Sequence, residues 1–424
     1  MNTPKIKHLG GLALLGASVS LGAANAATVN GQEYVHLVSP DTSSAVGQNS
    51  FVLGANWSDS EPPSADKDWG QTPVVYDSFR PGQLWLDTDG KPIHAHGGSI
   101  LRLDGRYWWY GENKERTDGK NGVWHWGVRA YSSTDLYNWK DEGLILPPEP
   151  DDPLSPLNPK TMMDRPHILF NERTRTFVCW LKLMQPPHAA VQVEAVYTAS
   201  SIRGPWRKVR DGLRPCGMSA GDFDLVMADD GKAYYYFERV HSELVCADLT
   251  DDYTDVTGYY STHFPLKRPP FTREAPAYFR RNGFHYLVTS GTTGYWPNPS
   301  RVAVADTFHG PWTDLGNLHP TDRSETSFRS QISSVFKVPD KKDLYIALGD
   351  RWLPDDTNTY ATVSNAFDKA TSGRGADADC QSFWKNFGGD AETCKARYVW
   401  LPIDFSGDKP AIKWHDEWKL EDFE

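Results

Sequence analysis

The sequence is poor in cysteine, in positive charge and in long apolar runs, and each shortage narrows what the chain can be. Five cysteines among 424 residues are too few and too scattered for a disulfide framework, and the odd count leaves one over. Cys380 and Cys394 bracket a short loop and are the pair expected to bridge. Cys179 and Cys246 sit inside apolar strand phrases and read as small core residues. Cys216 follows Pro215 in a loop, with its partnering open. No cysteine and histidine stand at zinc-ligand spacing, so no metal ligands are assigned. Acids outnumber bases by 55 to 44, for a formal charge of −11. That balance disfavours nucleic acid and anionic membrane surfaces as partners. The one concentrated apolar run, residues 12–21, is shorter than the roughly 20 residues a membrane span needs. It follows Lys5 and Lys7 and precedes Ala24-Asn25-Ala26, so residues 1–26 read as a removable secretory signal. The expected destination is the periplasm or the outside of the cell. Cleavage moves the formal charge from −11 to −13, because Lys5 and Lys7 leave and no acid does. Helical periodicity is also scarce; only a short stretch at residues 381–387 suggests it.

Aromatic residues, by contrast, are abundant: 17 Trp, 19 Tyr and 18 Phe. Aromatics favour strands and also provide the flat apolar surfaces on which sugar rings pack. After a Ser-, Pro- and Asp-rich arm at residues 27–80, the pattern from residue 81 onward is all β. Asp104-Gly105, Asp230-Gly231 and Asn282-Gly283 mark hairpins. One phrase recurs five times, opening at His96, Asp164, Asp222, Glu274 and Gln331. Each copy is a polar opener, an apolar strand, a turn and a second strand, and successive openers lie roughly 50–70 residues apart. A second repeat runs beside it, a strand followed by a small polar turn and a tryptophan, at Trp139, Trp206 and Trp312. Together they describe a four-stranded unit that cannot bury its own faces. Five such units predict a five-bladed β-propeller over residues 81–424, ending in a short acidic tail. Stacking around one axis would bring the five openers together at one end.

The order and spacing of these phrases resemble glycoside hydrolase family 43, nearest to its branch of exo-β-1,3-galactanases. The phrases that carry the resemblance are Tyr110-Gly-Glu-Asn-Lys114, Asp164-Arg-Pro166, Glu274-Ala-Pro276, Ser330-Gln331 and Gly349-Asp-Arg-Trp352, with the His96 and Asp222 phrases. The resemblance implies inversion, with an acid and a base on opposite sides of the bond. Glu274 then matches the general acid, and Asp222 the carboxylate that supports it. Asp164 stands where the branch usually has Glu. Gln331 matches a Gln of the branch, and Glu112 a Glu that contacts the terminal sugar. Asp350 and His96 join the sugar-contacting set. Tyr295 and Trp296 form one candidate platform for the sugar, Trp124 and Trp126 another. Where the branch often has a Tyr, this chain has Val191 or Gln192. Most of the family opens the first blade with an Asp as base; here the position reads Ala95-His96-Gly97, and the branch lacks that Asp too. The base is open between Asp164, His96 and Gln331. Asp229-Asp230-Gly231 looks like a fragment of a calcium loop but lacks its later Glu, and reads as a plain turn.

The resemblance implies an exo-acting hydrolase that releases galactose from β-1,3-galactan, without cofactor. Its partner would be a neutral plant-type polysaccharide or oligosaccharide, which an acidic protein does not repel, and the protein would act as a monomer. An α-L-arabinofuranosidase, a broader β-galactosidase and a sugar-binding propeller without turnover are the alternatives.

Overall fold

The computed structural model describes residues 26–29, 32–35, 75–119, 121–184, 191–378, 380–382 and 393–424. Most of the expected signal and arm therefore lies outside the described residues. Five antiparallel four-stranded sheets form a five-bladed propeller. Blade 1 comprises His96–Leu103, Arg106–Glu112, Val128–Ser133 and Lys140–Leu146; blade 2 comprises Met162–Asn171, Thr176–Met184, Gln192–Ala199 and Arg207–Leu213. Blade 3 runs through Ala220–Met227, Ala233–Arg239, Glu243–Leu249 and Val256–His263, and blade 4 through Arg273–Arg281, Phe284–Gly291, Arg301–Ala305 and Thr313–Asn317. Blade 5 is Gln331–Lys337, Tyr345–Arg351, Arg397–Ser406 and Lys409–Ile412. In every blade the first strand is innermost, and each inner strand packs on the next, the fifth returning to the first.

Local chemistry explains the pieces. Asp104-Gly105 and Asn282-Gly283 are two-residue turns in which both residues have positive φ (49° and 76°; 52° and 85°), as tight hairpins of this twist require. Asp230-Gly231 also makes a simple turn, with Gly231 N–H donating to the Ala228 carbonyl at 3.0 Å. Middle strands such as Ala233–Arg239 are buried on both faces because each blade lies between two others, so their sequence runs apolar instead of alternating. The recurrent tryptophans pin the outer strands: Trp139 is fully buried and donates to the Leu136 carbonyl at 3.0 Å, and Trp206 to that of Ile202 at 3.2 Å. Blades 1 and 5 meet across a cluster containing Trp109, Trp139, Trp400 and Trp418. The N-terminal approach closes the seam, since Phe79 and Trp418 exchange backbone hydrogen bonds of 2.9 and 3.1 Å.

One local expectation needs correction, and another falls largely outside the described residues. Of the expected helical stretch at 381–387, residues 381 and 382 are helical and 383–387 lie outside the described residues; a helix, Tyr360–Thr371, is inserted between the second and third strands of blade 5. Only Val363, Ala366 and Phe367 are buried along it, a stripe too thin to stand out in sequence; its start is fixed by Thr359, whose hydroxyl caps Thr362 N–H at 3.2 Å. Cys380 and Cys394, expected to bridge, both carry thiols, and that of Cys380 donates to the Ala366 carbonyl at 3.6 Å. Cys179 and Cys246 are fully buried. Among the described residues no helix is long and apolar enough to cross a membrane, and no group of three or more His, Cys, Asp or Glu side chains gathers as a metal site.

Candidate active site

All five inner strands break register just after they begin: between His96 and Ser99, Asp164 and His167, Ala220 and Phe223, Glu274 and Ala277, and Ile332 and Ser334. These are β-bulges, which twist a strand end and re-aim its side chains. In blades 1, 2 and 4 the residue after the opener is left-handed, with φ of 63° at Gly97, 50° at Arg165 and 48° at Ala275. For arginine and alanine that conformation costs about 1–2 kcal/mol, a strain typical of positions held for function. At Gly97 a side chain is also excluded by contact, because a Cβ would lie 2.6 Å from Glu112 Oε1.

The bulges deliver a network of buried charges. Lys182 lies between two carboxylates, 2.7 Å from Asp222 Oδ1 and 3.2 Å from Asp164 Oδ2. Arg165 Nε reaches Asp222 Oδ2 at 2.9 Å. Burial alone would raise the Asp222 carboxyl, but Arg165 and Lys182 outweigh it and hold it at about 2. Asp164 is likewise below the usual carboxylate range: burial opposes ionisation, yet Lys182, Lys114 and the Trp124 indole, 2.7 Å from Oδ1, favour it more. Glu112 accepts the Arg165 backbone N–H at 2.9 Å and lies 2.8 Å from Lys114 Nζ; burial still lifts it to about 7.

Glu274 has the opposite character. Burial, followed by the nearby charges of Asp222 and Glu238, pushes its carboxyl well above the ordinary value, which favours the protonated form. Gln331 is fixed beside it. Its Oε1 accepts from Arg165 at 2.5 Å and from the Trp352 indole at 3.2 Å, and its Nε2 donates to Glu274 Oε1 at 3.2 Å and to Ser290 Oγ at 2.9 Å. Arg165 and Trp352 can only donate, so they fix which end of the amide is oxygen.

The other expected residues separate into a wall and a base. Tyr295 bridges Trp124 and Trp352, with ring centroids 6.1 and 5.1 Å away; the two indoles hold Asp164 and Gln331, so these three rings wall one side. Trp296 turns away and is buried against Val363, Ala366 and Phe367 of the helix. Trp126 carries the Arg116 guanidinium at 4.2 Å. His96 is wholly buried, stacked on Tyr398 at 4.9 Å, with Nδ1 3.1 Å from Asp350 Oδ1. Burial lowers it to about 3, so it is neutral; Asp350, raised to about 7 by burial, also accepts the Gly97 N–H at 3.0 Å. This pair braces the first bulge. His96→Ala is therefore expected to lower kcat/KM much less than Asp164→Asn, and a comparison of the two purified variants on one substrate checks it. An inactive His96→Ala enzyme that still binds sugar normally would make His96 the base.

Lys182 was not singled out in the sequence, Lys114 and Trp352 entered only within the phrases that carry the resemblance, and Arg165 only as a partner of Asp164. One signal was available: Lys182 interrupts the apolar run Trp180-Leu-Lys-Leu-Met184, where a lone cation implies a buried partner.

A buried acid with a raised carboxyl beside carboxylates held low, at one end of a propeller axis, is the arrangement that acid–base hydrolysis of a glycosidic bond uses. The sequence profile of glycosyl hydrolases family 43 matches residues 91–362, and the chain belongs to that family. A solved family 43 β-1,3-galactosidase is 29% identical with a TM-score of 0.66, the match covering 82% of this chain and 65% of that one. Another, solved with galactodeoxynojirimycin, is 28% identical with a TM-score of 0.64, covering 81% and 100%. An exo-β-1,3-galactanase from Clostridium thermocellum is 27% identical with a TM-score of 0.62, covering 80% and 66%. The chain thus spans about two thirds of the length of the first and third of these relatives. Among curated proteins there is no significant match.

Proposed function

We propose that the protein is an exo-acting, inverting hydrolase that releases galactose from the non-reducing end of β-1,3-galactan. The observation that carries this reading is the contrast among the openers: Glu274 is buried near the like charges of Asp222 and Glu238, which raise its carboxyl, Asp164 and Asp222 share Lys182, which keeps theirs low, and the first opener is a wholly buried histidine. The galactan-directed relatives support the choice of sugar. Glu274 gives its proton to the glycosidic oxygen as the bond to the anomeric carbon breaks. Water attacks that carbon from the opposite face, and Asp164 takes the proton that water loses. Asp222 stays charged and keeps Glu274 protonated for the next turnover. Glu112 and Gln331 hold sugar hydroxyls, and the Trp124–Tyr295–Trp352 wall takes the ring's apolar face. The N-terminal signal supports export, the acidic charge a neutral plant-type glycan, and the protein works as a monomer.

Proton NMR of β-1,3-galactobiose hydrolysis tests the reading: α-galactose should appear first. Initial β-galactose would overturn inversion, and arabinose release from an arabinan in place of galactose would overturn the sugar. The pH profile has a predicted shape as well. Glu274 works only while protonated, so kcat/KM should hold through neutral pH and fall on the alkaline side as pH passes its raised value. Asp164 works only when ionised, so the acid limb should lie below its usual value of 3.8. Activity already lost above about pH 5, where an ordinary carboxylic acid is ionised, would remove Glu274 as the acid.

A further inference from the structure

The wedge between blades 3 and 4 is not filled at the end where Glu274 lies. A cavity of about 490 Å³ remains there, within the range of small-ligand sites. The cavity lies under the connection between blades 3 and 4 at residues 264–272, which supplies Phe264, Leu266, Pro270 and Phe271 to its lining. The floor is apolar and buried, made by Leu287, Val302 and Ala303, and the walls carry Phe264, Phe271 and Tyr360. Phe271 is 47% exposed, with the Arg268 guanidinium over its ring at 5.9 Å. The rim is polar and balanced: Arg301 is paired with Asp314, Nε to Oδ2 at 3.1 Å, and Arg273 and Glu325 add one charge of each sign. Arg273 is held in place by Thr289, Nε to Oγ1 at 2.9 Å and NH2 to the carbonyl at 2.6 Å, and it is the residue before Glu274.

Aromatic walls with a hydrogen-bonding rim suit a ligand that has apolar C–H faces and many hydroxyls. Equal numbers of rim cations and acids give an ionic ligand no advantage. We infer that this groove is a second, non-catalytic binding site for a neutral glycan, taking an internal stretch of the polymer whose end is cleaved next to it. The inference rests on the galactan reading above for the identity of the glycan.

An exo-acting pocket takes only chain ends, which are scarce in a long polymer, so binding along the chain reports on the groove. The test is affinity electrophoresis through gels containing β-1,3-galactan, with Glu274→Gln as the background so that the polymer persists. The Glu274→Gln protein should be retarded, and adding Phe271→Ala with Tyr360→Ala should abolish the retardation. In the otherwise unaltered enzyme, the same two changes should raise KM for the polymer and leave galactobiose hydrolysis unchanged, which also shows that the fold is intact. Equal retardation with and without the two changes would overturn the groove, as would an unretarded background protein. Failure of the galactan reading looks different, because galactobiose would then not be hydrolysed at all.

Discussion

Glu274→Gln should lower kcat on an unactivated galactoside by about 10²–10⁴-fold, the usual contribution of a positioned acid, and leave the fold intact. The amide keeps the shape of the carboxyl and can still accept from Gln331 Nε2, now 3.2 Å from Oε1. What it lacks is an acidic proton for the departing oxygen. The loss should therefore depend on the leaving group. An aryl galactoside with an acidic phenol needs little protonation, so the variant should recover much of its rate there, with KM little changed. Parallel kinetics on galactobiose and a nitrophenyl galactoside measure this. Near-normal turnover of galactobiose by the variant would remove Glu274 from the acid role.

Lys182→Met should be the most damaging single change to stability, on the order of 3–5 kcal/mol at neutral pH, as expected when one partner of a buried ionic group is removed. The methionine fills much of the volume, but Asp164 and Asp222 lose the cation that lies between them. Arg165 still holds Asp222, and Trp124 still donates to Asp164, which is why the domain should weaken without failing to fold. The pH dependence follows from the sign of the shift. Asp222 is depressed to about 2 from an ordinary 3.8, so its stabilisation is fully present above that ordinary value and is lost as pH falls through the folded one. The gap between wild type and variant in urea unfolding should be widest above about pH 4 and close toward pH 2. A variant as stable as the wild type at pH 6 would mean that the two carboxylates are neutralised by something other than Lys182.

The propeller was legible because its evidence is local. Turn pairs such as Asn282-Gly283 dictate positive φ, the Trp-led outer strands repeat, and the openers recur at even spacing. The membership of the charged network was less legible, because bulges decouple neighbours in sequence. Arg165 follows Asp164 directly, yet its guanidinium pairs with Asp222 of the next blade and with Gln331. Tyr295 and Trp296 read as one platform, but consecutive residues of that loop face opposite ways, one toward the aromatic wall and the other into the helix cluster. Which end of Gln331 is oxygen depends on Arg165 and Trp352, two donors far from it in sequence, and no local pattern encodes that. His96 illustrates the same limit from the other side. Its type suggested proton transfer, and only its complete burial against Tyr398 and Asp350 shows why it is neutral.

The seam between the first and last blades has a consequence for how the molecule comes to exist at all. Ser78 and Glu417 are hydrogen-bonded across 339 positions of chain, close to Phe79 and Trp418. Each blade is built from one continuous stretch, but its faces are buried only once its neighbours are in place. The ring cannot close until almost the last residues have been made. The five openers then converge only at the final step of assembly, so a chain cut short before Trp418 could hold every catalytic group and still have no catalytic centre.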